Sequence, residues 1–442
     1  MDIRLSDHFT YKKLFRFTLP SVVMMIFTSV YGVVDGFFVS NFVGKTEFAA
    51  VNFIMPFLMI LGTVGFMFGT GGSALVSKTL GEGRREKANR IFSLILYSSV
   101  VLSLLISFFG ILFLRPIASF LGAEGRLLDD CVLYGRIILA ANPCYTLQMQ
   151  FQSFFVTAEK PQLGLAVTVA SGVTNMVLDG IFVGVLPWGL VGAAVATAVS
   201  QVVGGIVPLV YFLLPNTSVL RLGKTSFDGR ALWKVCSNGS SELMSNLSMS
   251  LVSMLYNIQL MKYEQEDGVS AYGVLMYVNL VFLAVFIGYS IGVAPVIGYH
   301  YGAGNSEELK SLRKKSLIII SVASVAMLFL SEGLAYPLSD LFVGYDADLL
   351  ALTRRGFVFY SFSFLFAGIC IFGSSFFTAL NNGLVSALIS FLRTLVFQVA
   401  AVLLLPLIFG IDGVWISIVA AEFVAFLVTV GFLVAMRKKY RY

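Results

Sequence analysis

Two aspartates stand in surroundings where an aspartate is costly. Asp35 lies in the apolar stretch TSVYGVVDGFFVSN and Asp179 in SGVTNMVLDGIFVG. A charge near mid-bilayer costs at least ~2.5–3.5 kcal/mol on insertion scales, so it needs a partner, water, a proton or a cation. Asn175 precedes Asp179 by one helical repeat and shares its helix face. Two carboxylates held at one depth in a low dielectric repel each other's charge. One of them then takes a proton readily, or the pair shares a hard cation with oxygen ligands from Asn175 and a nearby hydroxyl, for which Thr197 and Ser200 are candidates. Either device can read a cation gradient. The plainer alternative is that both acids cap or glue helices. A catalytic pair has less support, because no nucleophile, metal-ligand set or extramembrane pocket accompanies it. Cys131, Cys144, Cys236 and Cys370 lie far apart without C-x-x-C spacing, and the histidines are His8 and His300 alone. Neither set points to a disulfide framework or a metal centre.

Further polar and soft residues could line a substrate cleft. Glu159, in TAEKP, either receives a cationic substrate or pairs with Lys160. Glu242 opens the seventh apolar segment and Glu422 lies inside the twelfth, and each could face a cleft. Gln148, Gln150 and Gln152 stud the fourth. Phe27, Met55, Met59, Phe66 and Phe154 could form an adaptable wall for a bulky ligand, ordinary packing being the plainer reading. Aromatic faces would attract an organic cation. Arg393 is expected to snorkel toward the cytoplasmic side. Gly32 and Gly36 flank Asp35 in a G-x-x-x-G spacing that would let another helix approach closely.

The elements that must position these groups are transmembrane helices. Only 12% of the 442 residues are charged, 58% are hydrophobic, and Phe supplies 41 of them. Soluble domains carry roughly 25% charge. The mean hydropathy is +0.88. A chain so poor in charge cannot cover itself in water, and it suits a surface facing lipid. Apolar segments recur at 14–39, 49–76, 91–114, 132–156, 163–185, 190–214, 235–258, 270–296, 316–335, 352–377, 384–408 and 412–435. The seventh and tenth are the weakest by hydropathy. Trp188, Trp233 and Trp415 all fall near segment ends, as an interfacial belt requires.

Loop charge sets the orientation. With the N-terminus in the cytoplasm, inside segments hold 22 basic residues and outside segments four, Lys45, Arg115, Arg126 and Lys262. That split implies an even number of spans with both ends inside. It also accounts for the formal charge of +6 without a nucleic-acid groove. No G-x-x-x-x-G-K-[ST] occurs, and no stretch between spans has room for a nucleotide-binding domain.

The chain repeats itself. Gly81-Glu82-Gly83 follows span 2 and Gly302-Ala303-Gly304 follows span 8, an offset of 221 residues. Trp188-Gly189-x-x-Gly192 and Phe409-Gly410-x-x-Gly413 share that offset. The expected fold is therefore an all-α polytopic membrane protein of twelve transmembrane helices, in two six-helix bundles related by an internal pseudo-twofold. Residues 1–214 form the N-terminal bundle, 215–234 a cytoplasmic connecting loop and 235–442 the C-terminal bundle. Duplicated bundles of this kind frame a central site in secondary transporters.

These features resemble the multidrug and toxic compound extrusion (MATE) family over essentially the whole chain, in its bacterial branch. The likeness rests on the twelve-span plan, on Asp35 ahead of Val39 and Gly44, on the Gly81-x-Gly83 turn and its repeat, and above all on Asn175-x-x-x-Asp179. The resemblance implies a cation site at Asp35, Asn175, Asp179 and Thr197, where Na⁺ or H⁺ would bind. Glu159 resembles an acid of a drug-exporting subgroup, and with Gln152, Met55, Met59, Phe154 and Glu242, read from the residues themselves, it makes up the expected substrate cleft. Some members carry acids in mid-spans 7 and 10. Here span 7 offers Glu242 near its start and span 10 has none, so coupling is expected in the N-terminal half. The implied protein is no enzyme and uses no cofactor. It exports small organic cations by antiport with Na⁺ or H⁺, works as a monomer in the lipid bilayer of a bacterial plasma membrane, keeps both termini cytoplasmic, and takes neither nucleotide nor nucleic acid. The alternative is a flippase for a lipid-linked sugar or lipid, in which basic groups such as Arg136 and Arg393 would line the cavity.

Overall fold

The protein is an all-helical bundle, described by a computed structural model over residues 3–344 and 346–442. The N-terminal part comprises α1 (Tyr11–Phe38), α2 (Lys45–Gly81), α3 (Arg85–Phe120), α4 (Gly125–Thr157), α5 (Pro161–Asp179) and α6 (Gly189–Leu213). The remainder comprises α7 (Gly229–Gly302), α8 (Ser306–Val343), α9 (Ala347–Ser361), α10 (Phe364–Ala379), α11 (Gly383–Phe391), α12 (Phe397–Leu404), α13 (Pro406–Phe409), α14 (Ile411–Ala435) and α15 (Arg437–Tyr440). Starts are set by side chains that accept orphan N–H groups: Thr10 from Lys13, Asp228 from Arg230 and Ala231, Asn305 from Glu308, Asp346 from Asp348 and Leu349. Wider π turns interrupt the coil at Val39–Val43, Gly180–Val185 and Leu392–Val396.

Among the described residues, nine helices are long and apolar enough to cross a membrane, or ten if α9 and α10, bent by 49°, count as one span. The chain is thus a multi-pass membrane protein. α4 and the first arm of α7 are long enough but too polar to qualify by composition. The seventh and eighth expected segments are arms of α7, divided at Gln265 (φ 53°, ψ −135°). The arms fold back on each other, with Tyr256 stacked on Tyr272 at 5.3 Å.

Glycines let the two halves of the chain meet backbone to backbone. A Cβ at Gly81 would strike the carbonyl of Tyr299, and one at Gly302 would strike that of Lys78. The pairs are reciprocal, since the offset that relates Gly81 to Gly302 also relates Lys78 to Tyr299. The same holds deeper in the bundle, where Gly71 abuts Gly239 and Gly292 abuts Thr18. Gly83 (φ 75°) and Gly304 (φ 70°) then turn the chain in the left-handed region. A Gly302→Val substitution leaves the opposing carbonyl nowhere to move, at a cost of about 1–3 kcal/mol. With the native cysteines replaced, Ser77→Cys should then react with a membrane-impermeant thiol reagent about tenfold faster in the Gly302→Val protein. An unchanged rate would show that this seam does not hold the halves shut.

The segment before α1 ties the same end together. Leu5 and Phe9 are fully buried. The Leu5 N–H donates to Glu159 Oε1 at 2.7 Å and the Phe9 N–H to Glu308 Oε1 at 2.9 Å. Residues 215–228 run irregularly along α3, with the Arg221 N–H donating to Asn89 and the Gly223 N–H to Ser93.

Two sequence expectations are corrected here. Trp188 and Trp233 are exposed, but Trp415 is fully buried and packs against Gly356, so it is a core residue rather than a belt residue. Gly32 and Gly36 face open space, so no helix packs closely on that spacing.

Candidate functional site

Three helices of the N-terminal part bring four of the expected residues together. α1 carries Asp35 one turn ahead of its π turn, α5 carries Asn175 and ends on Asp179 just before another, and α6 carries Thr197. The Asp35 carboxyl lies within side-chain hydrogen-bonding reach of both Asp179 and Asn175. Asn175 Nδ2 donates to Thr197 Oγ1 at 3.5 Å. Asp179 and Asn175 are buried. Asp35 Oδ1, Asn175 Oδ1 and both Asp179 oxygens have no hydrogen-bond partner among the described residues. These atoms are acceptors, and acceptors that face one another in a dry interior are stable only with a proton or a cation between them. The oxygen-only set suits a hard ion. Among the described residues no three His, Cys, Asp or Glu side chains converge as a metal cage would need.

Sequence reasoning missed two neighbours. Tyr31 lies one turn from Asp35 on α1 and near Gln148, and the fully buried Tyr134 is close enough to feel the charge of both aspartates. Tyr31 precedes Asp35 by four residues, which places it on the same helix face and made it findable. Nothing in the sequence around Tyr134 marked it.

The residues expected to line a cleft are not gathered in one place. Glu159 follows α4 in the left-handed region (φ 62°) and holds the Leu5 N–H. Burial pushes its carboxyl above the usual range, while the Leu5 N–H, Arg4 and Lys160 pull it back and Asp7 pushes it up. The 19 residues of α5 separate it from Asp179, a rise of about 28 Å. Gln152 is buried between α4, α5 and α6, facing the interior of the N-terminal half. Phe154 is a core residue, edge-on to Phe92 at 4.8 Å. Met55 packs against the apolar cluster around Leu58 and Leu114, and Met59 is half-exposed. Glu242 is half-buried on the first arm of α7.

Arg393 does not snorkel, and Glu422 does not face a cleft. Arg393 Nε donates to Glu422 Oε2 at 2.8 Å and to Oε1 at 3.0 Å, with both side chains nearly buried. The π turn over Leu392–Val396 carries Arg393, and the Tyr256 hydroxyl donates to Gln398 close by at 2.8 Å.

A multi-pass helical bundle with a cluster of unpartnered buried oxygens in its N-terminal part, and with reciprocal contacts between repeat-related segments, has the build of a membrane transporter. The chain belongs to the MatE family, whose model matches it twice, at residues 20–181 and 243–404. It is therefore a MATE-family transporter of small molecules and not an enzyme. It is similar to the multidrug export protein MepA of Staphylococcus haemolyticus, with 24% identity over 436 residues, 97% of this chain and 94% of the relative. Its fold matches a multidrug resistance MATE family transporter of the MOP superfamily solved in an outward-facing conformation, with TM-score 0.91, 23% identity and 98% of each chain covered. It equally matches a MOP superfamily transporter from Pyrococcus furiosus for which reverse polarity of the binding pocket suggests a different function, with TM-score 0.91, 22% identity and 98% of each chain covered.

Proposed function

We propose that this protein is a secondary active antiporter that exports organic cations in exchange for Na⁺ or H⁺, bound at Asp35, Asn175, Asp179 and Thr197. The observation that carries the reading is the cluster of buried acceptor oxygens without a donor, contributed by Asp35, Asn175 and Asp179. An ion entering there neutralises charge on oxygens that have no hydrogen-bond partner among the described residues. Its release leaves the site short of a partner again, so the two states differ in energy, as alternating access demands. A one-for-one exchange of monovalent cations moves no net charge, so the drive is the ion's concentration gradient, each decade of which supplies ~1.4 kcal/mol and sustains about one decade of substrate.

α4 and the first arm of α7 bring the spans to twelve when they are read as polar, bundle-facing helices. The doubled family match and the reciprocal glycine contacts support a pseudo-twofold between the halves. Both termini are read as cytoplasmic and the membrane as a bacterial plasma membrane, in keeping with the basic loops and the bacterial relatives. The relatives' multidrug export supports a cationic organic substrate, with the half-buried Glu242 of the first arm of α7 as an acid that could meet it. A flippase reading loses support, because the Arg393 guanidinium is already engaged by Glu422.

The test is efflux of a fluorescent organic cation from everted vesicles, with Na⁺ and pH gradients imposed separately. One gradient should drive it several-fold faster than neither. Equal rates under both, matching the ungraded control, would sink the antiport reading.

A further inference from the structure

α5 is turned inside out for a packed helix. Its buried residues are Gly164, Thr168, Ser171, Gly172, Asn175 and Asp179. Val173 and Val177 lie on the exposed side, where lipid accepts them. The inward face is therefore a polar seam that begins at the carboxylate pair and descends toward Pro161, the end that holds the N-terminal segment. From Asp179 to Thr168 the descent is about 16 Å.

The seam is built in rungs. Asn175 Nδ2 donates to Thr197 Oγ1 at 3.5 Å. One turn lower, the Ser171 hydroxyl donates to the Ser200 carbonyl at 2.7 Å and accepts from Gln148 Nε2 at 3.2 Å. A Cβ at Gly204 would clash with the Gln148 side chain, so the glycine makes room for that amide. Lower still, Gln148, Gln152 and Thr168 share a small cavity with Gly204, about 10 Å³ of space open to a water's centre, or room for roughly one water. Gln152 is buried and its Nε2 has no partner among the described residues. Phe151 and Phe155 also line the cavity, backed by Phe212 at 5.5 and 5.4 Å.

Helix glue is the ordinary use of small and polar residues between membrane helices. Glue satisfies its own atoms, whereas here an amide donor faces a gap the size of a water. We propose that the seam of Asn175, Ser171, Gln148, Thr168 and Gln152 is an exit path for the coupling cation, which holds water at the Gln148–Gln152–Thr168 cavity. The ion leaves the carboxylates down the inside of the N-terminal bundle, apart from the interface between the halves. Phe151 and Phe155 are its closed gate in this conformation. A proton passes from the carboxyl through the Thr197 and Ser171 hydroxyls, each taking one proton and giving up its own, to the held water, and Na⁺ by exchanging carboxylate oxygens for amide, hydroxyl and water oxygens.

The inference rests on the cation-site reading above, and its test separates the two. Purified protein is reconstituted into vesicles, with trapped pyranine reporting H⁺ and ²²Na⁺ reporting Na⁺. The double variant Thr168→Val with Gln152→Leu keeps shape but removes the polar lining. It should slow ion release toward the terminus-bearing side at least tenfold, and Thr168→Val by itself should slow release with equilibrium binding of a fluorescent organic cation within twofold of native. Thr168→Ser should retain release near the native rate, and Thr168→Val alone should slow it if the double variant does not fold. Unaltered release in the Val variants, alongside loss of driven efflux in Asp35→Asn, overturns the seam and leaves the site standing. Driven efflux that survives Asp35→Asn overturns both.

Discussion

Asp35→Asn should lower ion-driven efflux about a hundredfold or more, with the protein still folded and present at its normal level. The amide puts a donor where the aspartate offered an acceptor. It satisfies an Asp179 oxygen that otherwise has no hydrogen-bond partner, and it removes one of the two charges that would hold a cation. Losing a charge-assisted contact in a desolvated site is worth about 3 kcal/mol, or two decades. Thermal stability supplies the second readout. If the pair were structural glue, Asn would break contacts and lower the unfolding midpoint. If the pair waits for an ion, Asn relieves acceptor against acceptor, and the midpoint should hold or rise. Everted-vesicle efflux and detergent-solubilised melting of the same variant settle it, and native efflux with a lowered midpoint is the opposing result.

The largest loss of stability is expected at Arg393→Ala. Glu422 would be left as a buried charge without its guanidinium, which costs about 3–5 kcal/mol. The apparent midpoint should fall by several degrees. Replacing both members, Arg393→Met with Glu422→Leu, removes the orphan together with its partner and should recover most of the loss. That double variant should also keep ion-driven efflux, because the pair lies in the other half from Asp35 and Asp179. A double variant no more stable than Arg393→Ala would mean the pair does more than neutralise itself. Loss of coupling in it would place a second cation step in the C-terminal half.

How far the sequence led depends on what each signal measured. Asp35, Asn175 and Asp179 were legible because an acid in an apolar run is expensive and helix spacing fixes its face. Gly81 and Gly302 were legible as a repeat, though their mutual contact was not, since a period in sequence carries no axis in space. Arg393 and Glu422 each read as an outlier in need of water. Their 29-residue separation hid that each was the other's answer. Trp415 looked interfacial by its place near a helix start, but Gly356 opens a socket for it. The glutamines of α4 held a clue that was passed over. At spacings of four, Gln148 and Gln152 share one face while Gln150 points away, so they could never have lined one cleft together. α4 falls outside the set of helices apolar enough to cross a membrane because hydropathy rewards a lipid-facing helix and α4 is largely buried in protein.

The π turns beside the two aspartates have a mechanical meaning. A π turn closes its hydrogen bonds at i→i+5 and carries extra length per coil, so it can tighten to the α form by shifting those bonds and turn the rod beyond it. Asp179 abuts one such slack coil and Asp35 stands one turn from another. If an ion draws the carboxylates together, as proposed above, the strain can be taken up by rewinding rather than by bending a stiff helix. Binding at a single point can then twist the far ends of α1 and α5 while their lower halves stay anchored.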